Sequence, residues 1–458
     1  MQNYHNFLEH KKFIMPAAGI KVNPDEVNSQ LFEFERDIVL WALQKGKSAI
    51  FAGTGLGKTL MQSEWANILV KHGIDKIIIL APLAVSQQTV REAEKFSIKI
   101  TLCREPEDVQ PGINITNYER MDKFDMSQFG GVVLDESSII KGVTSKTKES
   151  IIETFKYTPY KLACTATPAP NDHVELGNHS EFLGVMSSVE MLSMFFVHDG
   201  GDTSKWRLKG HAVKDYWQWV ASWAVMLTKP SDLGYEDDRY NLPPLRIHQI
   251  TVKVAAPTES LFAVEAQTLQ ERQAARRDSI DDRVKACADI VNMSDEPWLI
   301  WCNLNSEQDA LKKLFGKNCV SIQGSTPPDE KIKLEELWRK GEVPILVSKP
   351  VVFGYGMNWQ HCSKMAFVGL SDSFEQFYQA VRRSWRFGQV NPVDVYVFTA
   401  ETEGAVVANI ERKERDFEVM LSGMIAATQE ITRKNIRGTE KETIEYNPKE
   451  RMILPSWI

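Results

Sequence analysis

No two of the six cysteines (Cys103, Cys164, Cys287, Cys302, Cys319 and Cys362) have the Cys-x-x-Cys spacing of a zinc ribbon or redox motif. Such scatter reads as reduced thiols of a cytosolic protein. The chain also lacks any apolar run near the roughly 20 residues that a bilayer crossing requires. Its most apolar stretches, 77–85 and 216–227, are far shorter. The opening MQNYHNFLEHKKF has no continuous apolar run behind its basic residues, so no secretory signal is expected. A surplus of positive charge is missing too. The 54 Lys and Arg stand against 61 Asp and Glu, a net charge of −7, so any nucleic-acid surface must be a local basic patch on an acidic whole. There is no internal repeat, base-reading module or zinc finger. What remains is a globular composition, 43% hydrophobic, 25% charged and 10% aromatic, over 458 residues. That length suits about three domains, or two with decorations.

Short β-branched runs alternate with longer amphipathic segments, first at 48–52, 76–81, 131–134 and 160–163. A second series follows at 297–302, 320–322, 344–347, 365–368 and 393–398. Such runs read as buried parallel strands joined by crossover helices, hence an α/β fold with two parallel-sheet domains. Between the series, 177–244 is rich in Trp and Gly and ends in the breaker Asn-Leu-Pro-Pro, which reads as an inserted helical segment and linker. Trp206, Trp217, Trp219 and Trp223 concentrate there. Exposed, they would stack on bases at about 1–3 kcal/mol each; the blander reading is that they pack a small helical subdomain. The polar stretch 258–293 reads as a solvated helix. From Glu411 the strand pattern is lost, suggesting a terminal helix and a loosely held tail.

The chemistry concentrates in few places. Ala52-Gly-Thr-Gly-Leu-Gly-Lys-Thr59 lies between a predicted strand and a predicted helix. Glycines (Gly53, Gly55, Gly57) let the backbone curl so that N–H groups, including that of Thr54, face phosphate oxygens. Lys58 then reaches the β/γ-phosphates and Thr59 ligates Mg²⁺, so ATP or GTP binding is expected. Asp135-Glu136-Ser137-Ser138 follows a hydrophobic run. An acidic pair at the carboxyl end of a buried strand suits Asp135 to hold Mg²⁺ through water and Glu136 to orient and deprotonate the attacking water.

The order of GTGLGKT, LDESS followed by Lys141, Thr165-Ala-Thr-Pro168, and Gln379-Ala-Val-Arg-Arg-Ser-Trp-Arg-Phe-Gly-Gln389 resembles the superfamily 2 helicases, most closely their Swi/Snf branch, with phage-encoded members as the nearest likeness. The last string fits that branch's QAxxRxxRxGQ pattern. The resemblance spans about residues 30–400 and implies two RecA-like lobes with ATP and Mg²⁺ in the cleft between them. The expected organisation is an amino-terminal extension (1–28), an ATP-binding lobe (29–176), the Trp-rich insertion and linker (177–244), a second lobe (245–410), and a helix and tail (411–458). It also implies that Arg383 and Arg386 reach across the cleft, with Arg386 in the arginine-finger position. Gln379 would help to position the γ-phosphate or neighbouring loops. Thr165 and Thr167 would couple the hydrolysis site to the nucleic-acid site. Gly354, Gly356 and Asn358 resemble the branch's GxGxN core, and Glu35 stands where an adenine-reading glutamine is usual. A carboxylate cannot donate to adenine N7 as an amide can. Ser138 replaces the usual histidine of the acidic box, which leads us to expect altered coupling without loss of hydrolysis.

The same resemblance places a nucleic-acid strand across Pro82, Thr116, Asn117, Lys141, Gly324, Ser325 and Asn358. These positions offer mainly backbone N–H, amide and hydroxyl groups, so contact would be with phosphates, sequence-independent and salt-sensitive. Lys146 and Lys148 either add charge there or form a solvated helix face. The expectation is an ATP-dependent DNA translocase or helicase on double- or single-stranded DNA, in phage replication, recombination or repair. It would work in the cytoplasm (the bacterial host's, if phage-encoded), with replication or repair proteins as partners and no membrane. The alternatives are an RNA helicase, or a nucleotide-gated clamp with little turnover.

Overall fold

The computed structural model describes residues 17–83, 85–141, 146–169, 172–199, 202–237, 240–253, 277–353, 357–371, 373–401 and 404–436. Two all-parallel sheets dominate. The first contains β1 (Lys47–Ala52), β2 (Lys76–Ala81), β3 (Ile100–Leu102), β4 (Gly112–Asn117), β5 (Gly131–Asp135), β6 (Tyr160–Thr165) and β9 (Ala224–Leu227), in the order β3-β4-β2-β5-β6-β1-β9. The second runs β10-β15-β14-β11-β13-β12, from β10 (Leu245–Val252), β11 (Trp298–Trp301), β12 (Cys319–Ile322), β13 (Ile345–Ser348), β14 (Lys364–Phe367) and β15 (Val393–Ala400). The antiparallel pair β7 (Phe196–Asp199) and β8 (Asp202–Leu208) stands apart from both.

The continuous apolar runs follow from burial on both faces of each sheet. In the first, Ile78, Leu80, Val132 and Leu134 enter one core layer, while Ile77, Ile79, Val133 and Leu162 enter the other. In the second, Leu299 and Trp301 face one layer and Trp298 and Ile300 the opposite one. This is the two-lobed α/β architecture expected from the alternating strand pattern.

The segment 177–244 is less separate than its composition suggests. Strand β9 pairs in parallel with β1, so the first sheet continues through the Trp-rich region. Trp217, Trp219 and Trp223 are buried in the first lobe's core, and Trp206 lies against the His198 ring at 3.8 Å. The packing reading of these tryptophans therefore holds for the three on the helix Val213–Trp223.

The terminal helix expected from Glu411 onward is present and packed up to Ile436; the stretch 437–458, where a tail was expected, lies outside the described residues. A single helix, Gly404–Ile436, runs for 33 residues, about 50 Å at 1.5 Å per residue. Its Ile410 and Phe417 join the second lobe's core, Phe417 meeting the rings of Phe374 and Tyr378 at 5.5 and 5.7 Å. Farther on, Met424, Ile425 and Ile436 join the first lobe's cores. Arg433 donates to the carbonyls of Ser231 and Asp232, just after β9. The helix thus spans both lobes. No helix among the described residues is long and apolar enough to cross a membrane.

Candidate functional site

The turn from β1 into the helix Lys58–Lys71 forms the floor of the site. Gly57 is the helix N-cap with φ +72°, and a Cβ there would lie 1.9 Å from Glu35 Oε1. Gly55 has φ +91°, and its Cβ would meet the Phe387 backbone nitrogen at 2.9 Å. Only glycine accepts both the left-handed backbone and the close approach. The start of a helix presents backbone N–H groups toward an anion, and here that start follows directly on the glycine loop. Lys58 is buried and folds back, Nζ donating to the carbonyls of Ala52 (2.8 Å) and Gly53 (3.2 Å). Burial lowers its pKa, opposed by Glu136 and Asp135, while Arg386 lowers it further.

Strand β5 delivers Asp135 and Glu136 opposite that loop. Burial pushes the Asp135 carboxyl well up and the Glu136 charge adds to the effect, with Lys58 opposing. The Tyr118 hydroxyl donates to the Asp135 carbonyl at 2.8 Å. Glu136 itself has φ +54° and ψ +54°, a left-handed backbone that non-glycine residues seldom adopt. Its Oε2 accepts from Thr165 Oγ1 at 3.4 Å, and Thr165 Oγ1 accepts from the Thr167 amide at 3.1 Å.

The second lobe closes this space. A cavity of about 420 Å³ is lined by Glu35, Thr54, Gly55, Gly57, Lys58, Thr59, Asp135 and Glu136 from the first lobe, and by Asn358, Arg383, Arg386 and Phe387 from the second. Arg386 donates through NH1 to the Met357 carbonyl at 3.2 Å. Gln379 does not line the cavity: it is fully buried and holds Arg383, which donates to its carbonyl and to its Oε1, each at 2.8 Å. Buried atoms at or beside the cavity without a hydrogen-bond partner among the described residues include Thr54 Oγ1, Gln88 Oε1, Thr89 Oγ1, Asn358 Oδ1, Gln379 Nε2 and Arg386 Nε. Unmet polar groups next to loop amides, a lysine and arginines fit a polyphosphate. The Thr59 hydroxyl and Asp135 carboxylate are hard oxygen donors that fit Mg²⁺.

At the mouth of the same cavity, Phe32, Tyr240 and Phe387 form an aromatic cluster, with Phe32–Phe387 centroids 6.3 Å apart and Tyr240–Phe387 4.9 Å apart. Glu35 sits below them. Its Oε2 accepts from the Phe32 amide at 3.0 Å, and burial raises its pKa from 4.5 to about 7. The proton is held more tightly in the folded state, so the associated stability is present below pH 4.5 and is lost as pH rises to about 7. Glu35→Gln keeps an acceptor for Phe32 and cannot ionise. It is expected to stabilise the fold at pH 8 by up to about 3 kcal/mol and to change little at pH 4. Thermal midpoints of both proteins at the two pH values check this; equal shifts at both would refute it.

A larger cavity, of about 720 Å³, lies alongside. Pro82, Thr116, Asn117, Ser138, Lys141 and Gly324 line it, as do Arg91, Arg104, Arg120 and Lys331. Glu136 lines both cavities. Of the residues assigned to a nucleic-acid track, Ser325 is not part of this wall and Asn358 lies in the smaller cavity. Gly354 and Gly356 are outside the described residues. Lys148 is buried and faces Glu181 at 3.7 Å, away from the channel, whereas Lys146 is exposed. Three participants escaped the sequence reading. Glu375 of the second lobe pairs with Lys141 and accepts from Thr167 Oγ1 at 3.4 Å, joining the lobes. His179 and Asn178 grip the turn after Glu136. A lone acid, histidine or asparagine on a helix leaves no periodic or motif signal.

Residues 282–388 match the helicase conserved C-terminal domain. The match falls within the second lobe, includes Arg383 and Arg386, and supports a superfamily 2 helicase. No curated protein matches the chain.

Proposed function

We propose that this protein is a helicase-type, nucleic-acid-dependent ATPase that uses Mg²⁺ and moves along DNA by closing and reopening its two lobes. One observation carries the reading: a phosphate-binding loop and acidic pair from one lobe share a single cavity with two arginines from the other. In this reading the loop amides and Lys58 take the β- and γ-phosphates. Thr59 and Asp135 hold Mg²⁺, which supplies positive charge against the phosphate oxygens. Glu136 orients the attacking water and accepts its proton, and Arg386 meets the charge that builds on the transferring phosphoryl group. The Lys58 ammonium, released from the Ala52 and Gly53 carbonyls, has the nearest use for an anion. Lobe closure thereby gates hydrolysis.

The larger cavity suits a phosphate backbone. Its wall carries five cationic side chains (Arg91, Arg104, Arg120, Lys141 and Lys331) and as many acidic ones (Glu119, Glu136, Asp329, Glu335 and Glu375). What suits it to such a backbone is therefore the placement of the cations, with Thr116 Oγ1 and Asn117 Oδ1, which are unpartnered among the described residues. None of this reads base edges, so binding would be sequence-independent and salt-sensitive. The motif set resembles that of the Swi/Snf branch, and on that resemblance we infer translocation on double-stranded DNA in phage replication, recombination or repair.

Steady-state ATP hydrolysis at low salt, with no polymer, single-stranded DNA, double-stranded DNA or RNA, tests the proposal against a Lys58→Ala control. Stimulation by DNA that vanishes in the control is the expected result. Preference for RNA would replace DNA as the track; negligible turnover in all four conditions would favour a nucleotide-gated clamp.

A further inference from the structure

We propose that His179, acting through Ser137 and assisted by Asn178, is the positioning residue that holds Glu136 in its reactive orientation. The inference rests on the ATPase reading of the site, and it concerns a device that the acidic box does not itself contain. Strand β5 ends at Asp135, and the chain turns at once through the left-handed Glu136 into the short helical turn Ser137–Ile140. A non-glycine residue persists in that conformation only where its surroundings over-determine it. The surroundings are specific. Ser137 Oγ and His179 Nε2 are hydrogen-bonded at 3.0 Å, and both residues are fully buried.

The neighbouring residue completes the grip. Asn178 Nδ2 donates to the Lys141 carbonyl at 2.9 Å, so adjacent residues of the helix Leu176–Leu183 fasten the turn near both of its ends. The His179 ring meets the Phe51 ring edge-on at 5.0 Å, and Phe51 precedes Ala52 at the root of the phosphate loop. One imidazole therefore bridges the strand that carries the loop and the turn that carries the acid. Burial depresses its pKa to about 4, keeping the ring neutral across the working range. The box has Ser138 where a histidine is usual; a histidine from a helix about forty residues further on braces the adjacent serine instead. The far end of the clamped turn is Lys141, which lines the larger cavity and pairs with Glu375.

The test uses the full chain with Ser137→Ala, which removes one hydroxyl, and His179→Phe, which keeps a ring against Phe51 and removes the Nε2 partner of Ser137. Each is expected to lower kcat for ATP by about 10-fold with KM changed less than about twofold, the pattern of an interaction used in the transition state. The double variant should lose no more than the worse single variant, since both cut the same bond. Amide exchange provides a readout independent of turnover. In Ser137→Ala, residues 137–141 should exchange at least about 10-fold faster, while β5 is unchanged. Wild-type exchange in that turn, or wild-type kcat in Ser137→Ala, would overturn the proposal. Additive losses with a matching fall in thermal midpoint would reduce the bond to a general packing contact and overturn it too. If the wild-type protein hydrolyses no ATP but the turn still loosens in Ser137→Ala, the clamp stands and the ATPase reading fails.

Discussion

Arg386→Ala is expected to lower nucleic-acid-stimulated ATP turnover by about 10³–10⁵-fold, the range in which a cross-lobe arginine acts in related NTPases. The side chain is placed for that role. It is half-buried in the cavity that contains Lys58, Asp135 and Glu136, with its NH1 on the Met357 carbonyl and its Nε unpartnered among the described residues. Burial, then the nearby Arg383, lower its pKa to about 9, and Glu92 and Glu136 only partly oppose them. Among the described residues no carboxylate forms an ion pair with this guanidinium, and a phosphoryl group with growing charge would supply the partner. The benefit appears mainly in the transition state, so ATP affinity measured without turnover should weaken less than about 10-fold. Single-turnover hydrolysis beside equilibrium nucleotide binding separates the two. Turnover within 10-fold of wild type would remove Arg386 from the chemistry. Arg383→Ala should act differently, because that arginine is itself held by Gln379.

The second large effect is on stability. Arg283 and Glu307 form an ion pair at 2.7 Å with both side chains fully buried in the second lobe. Glu307 also accepts from the amides of Asn303 (2.8 Å) and Leu304 (2.9 Å), capping the helix Asn305–Phe315. Arg283 donates to Ser279 Oγ at 2.9 Å and to the Val368 carbonyl. The pair therefore ties the helix Ile280–Val291 to the end of β11 and to the chain leaving β14. Gly369 makes room for it: a Cβ there would stand 2.5 Å from the Glu307 carboxylate. Arg283→Met leaves a buried carboxylate without its cation and should cost about 3–5 kcal/mol. Adding Glu307→Gln should recover much of that loss, because the amide oxygen still caps the helix and no charge remains buried. Urea unfolding of the single and double variants measures both. A single variant within 1 kcal/mol of wild type would refute the account.

The phosphate loop, the acidic pair and the Arg383/Arg386 pair were legible because each concentrates its chemistry within a few residues. Their convergence on one cavity follows from strands and helices that the apolar runs also announced. Other parts depended on partners distant in sequence. Strand β9 is only Ala-Val-Met-Leu beside a Trp-rich helix, and its membership of the first sheet depends on pairing with β1, far back in the chain. Strand β10 exposes much of its surface at the sheet edge, so no apolar run marks it. The docking of Gly404–Ile436 was hidden because Ile410, Phe417 and Met424 are spread thinly among charged residues and face two different lobes. Asn358, grouped with a nucleic-acid track by its motif, lines the smaller cavity together with Arg383 and Arg386, a neighbourhood that the motif does not announce.

That long helix has a mechanical consequence. The lobes are joined once by the chain between β9 and β10, and a second time by a stiff rod anchored through Phe417 on one side and Met424 on the other. Beside the contacts at the cleft itself, this second covalent path restricts how far the lobes can turn against each other. Ser422 and Gly423 fall between the two anchors, and a Cβ at Gly423 would touch nothing within 4 Å. A Ser-Gly pair is where a helix bends most readily. The unbroken helix thus places its Ser-Gly pair where it crosses from one lobe to the other, the place where a bend would let it follow a moving lobe.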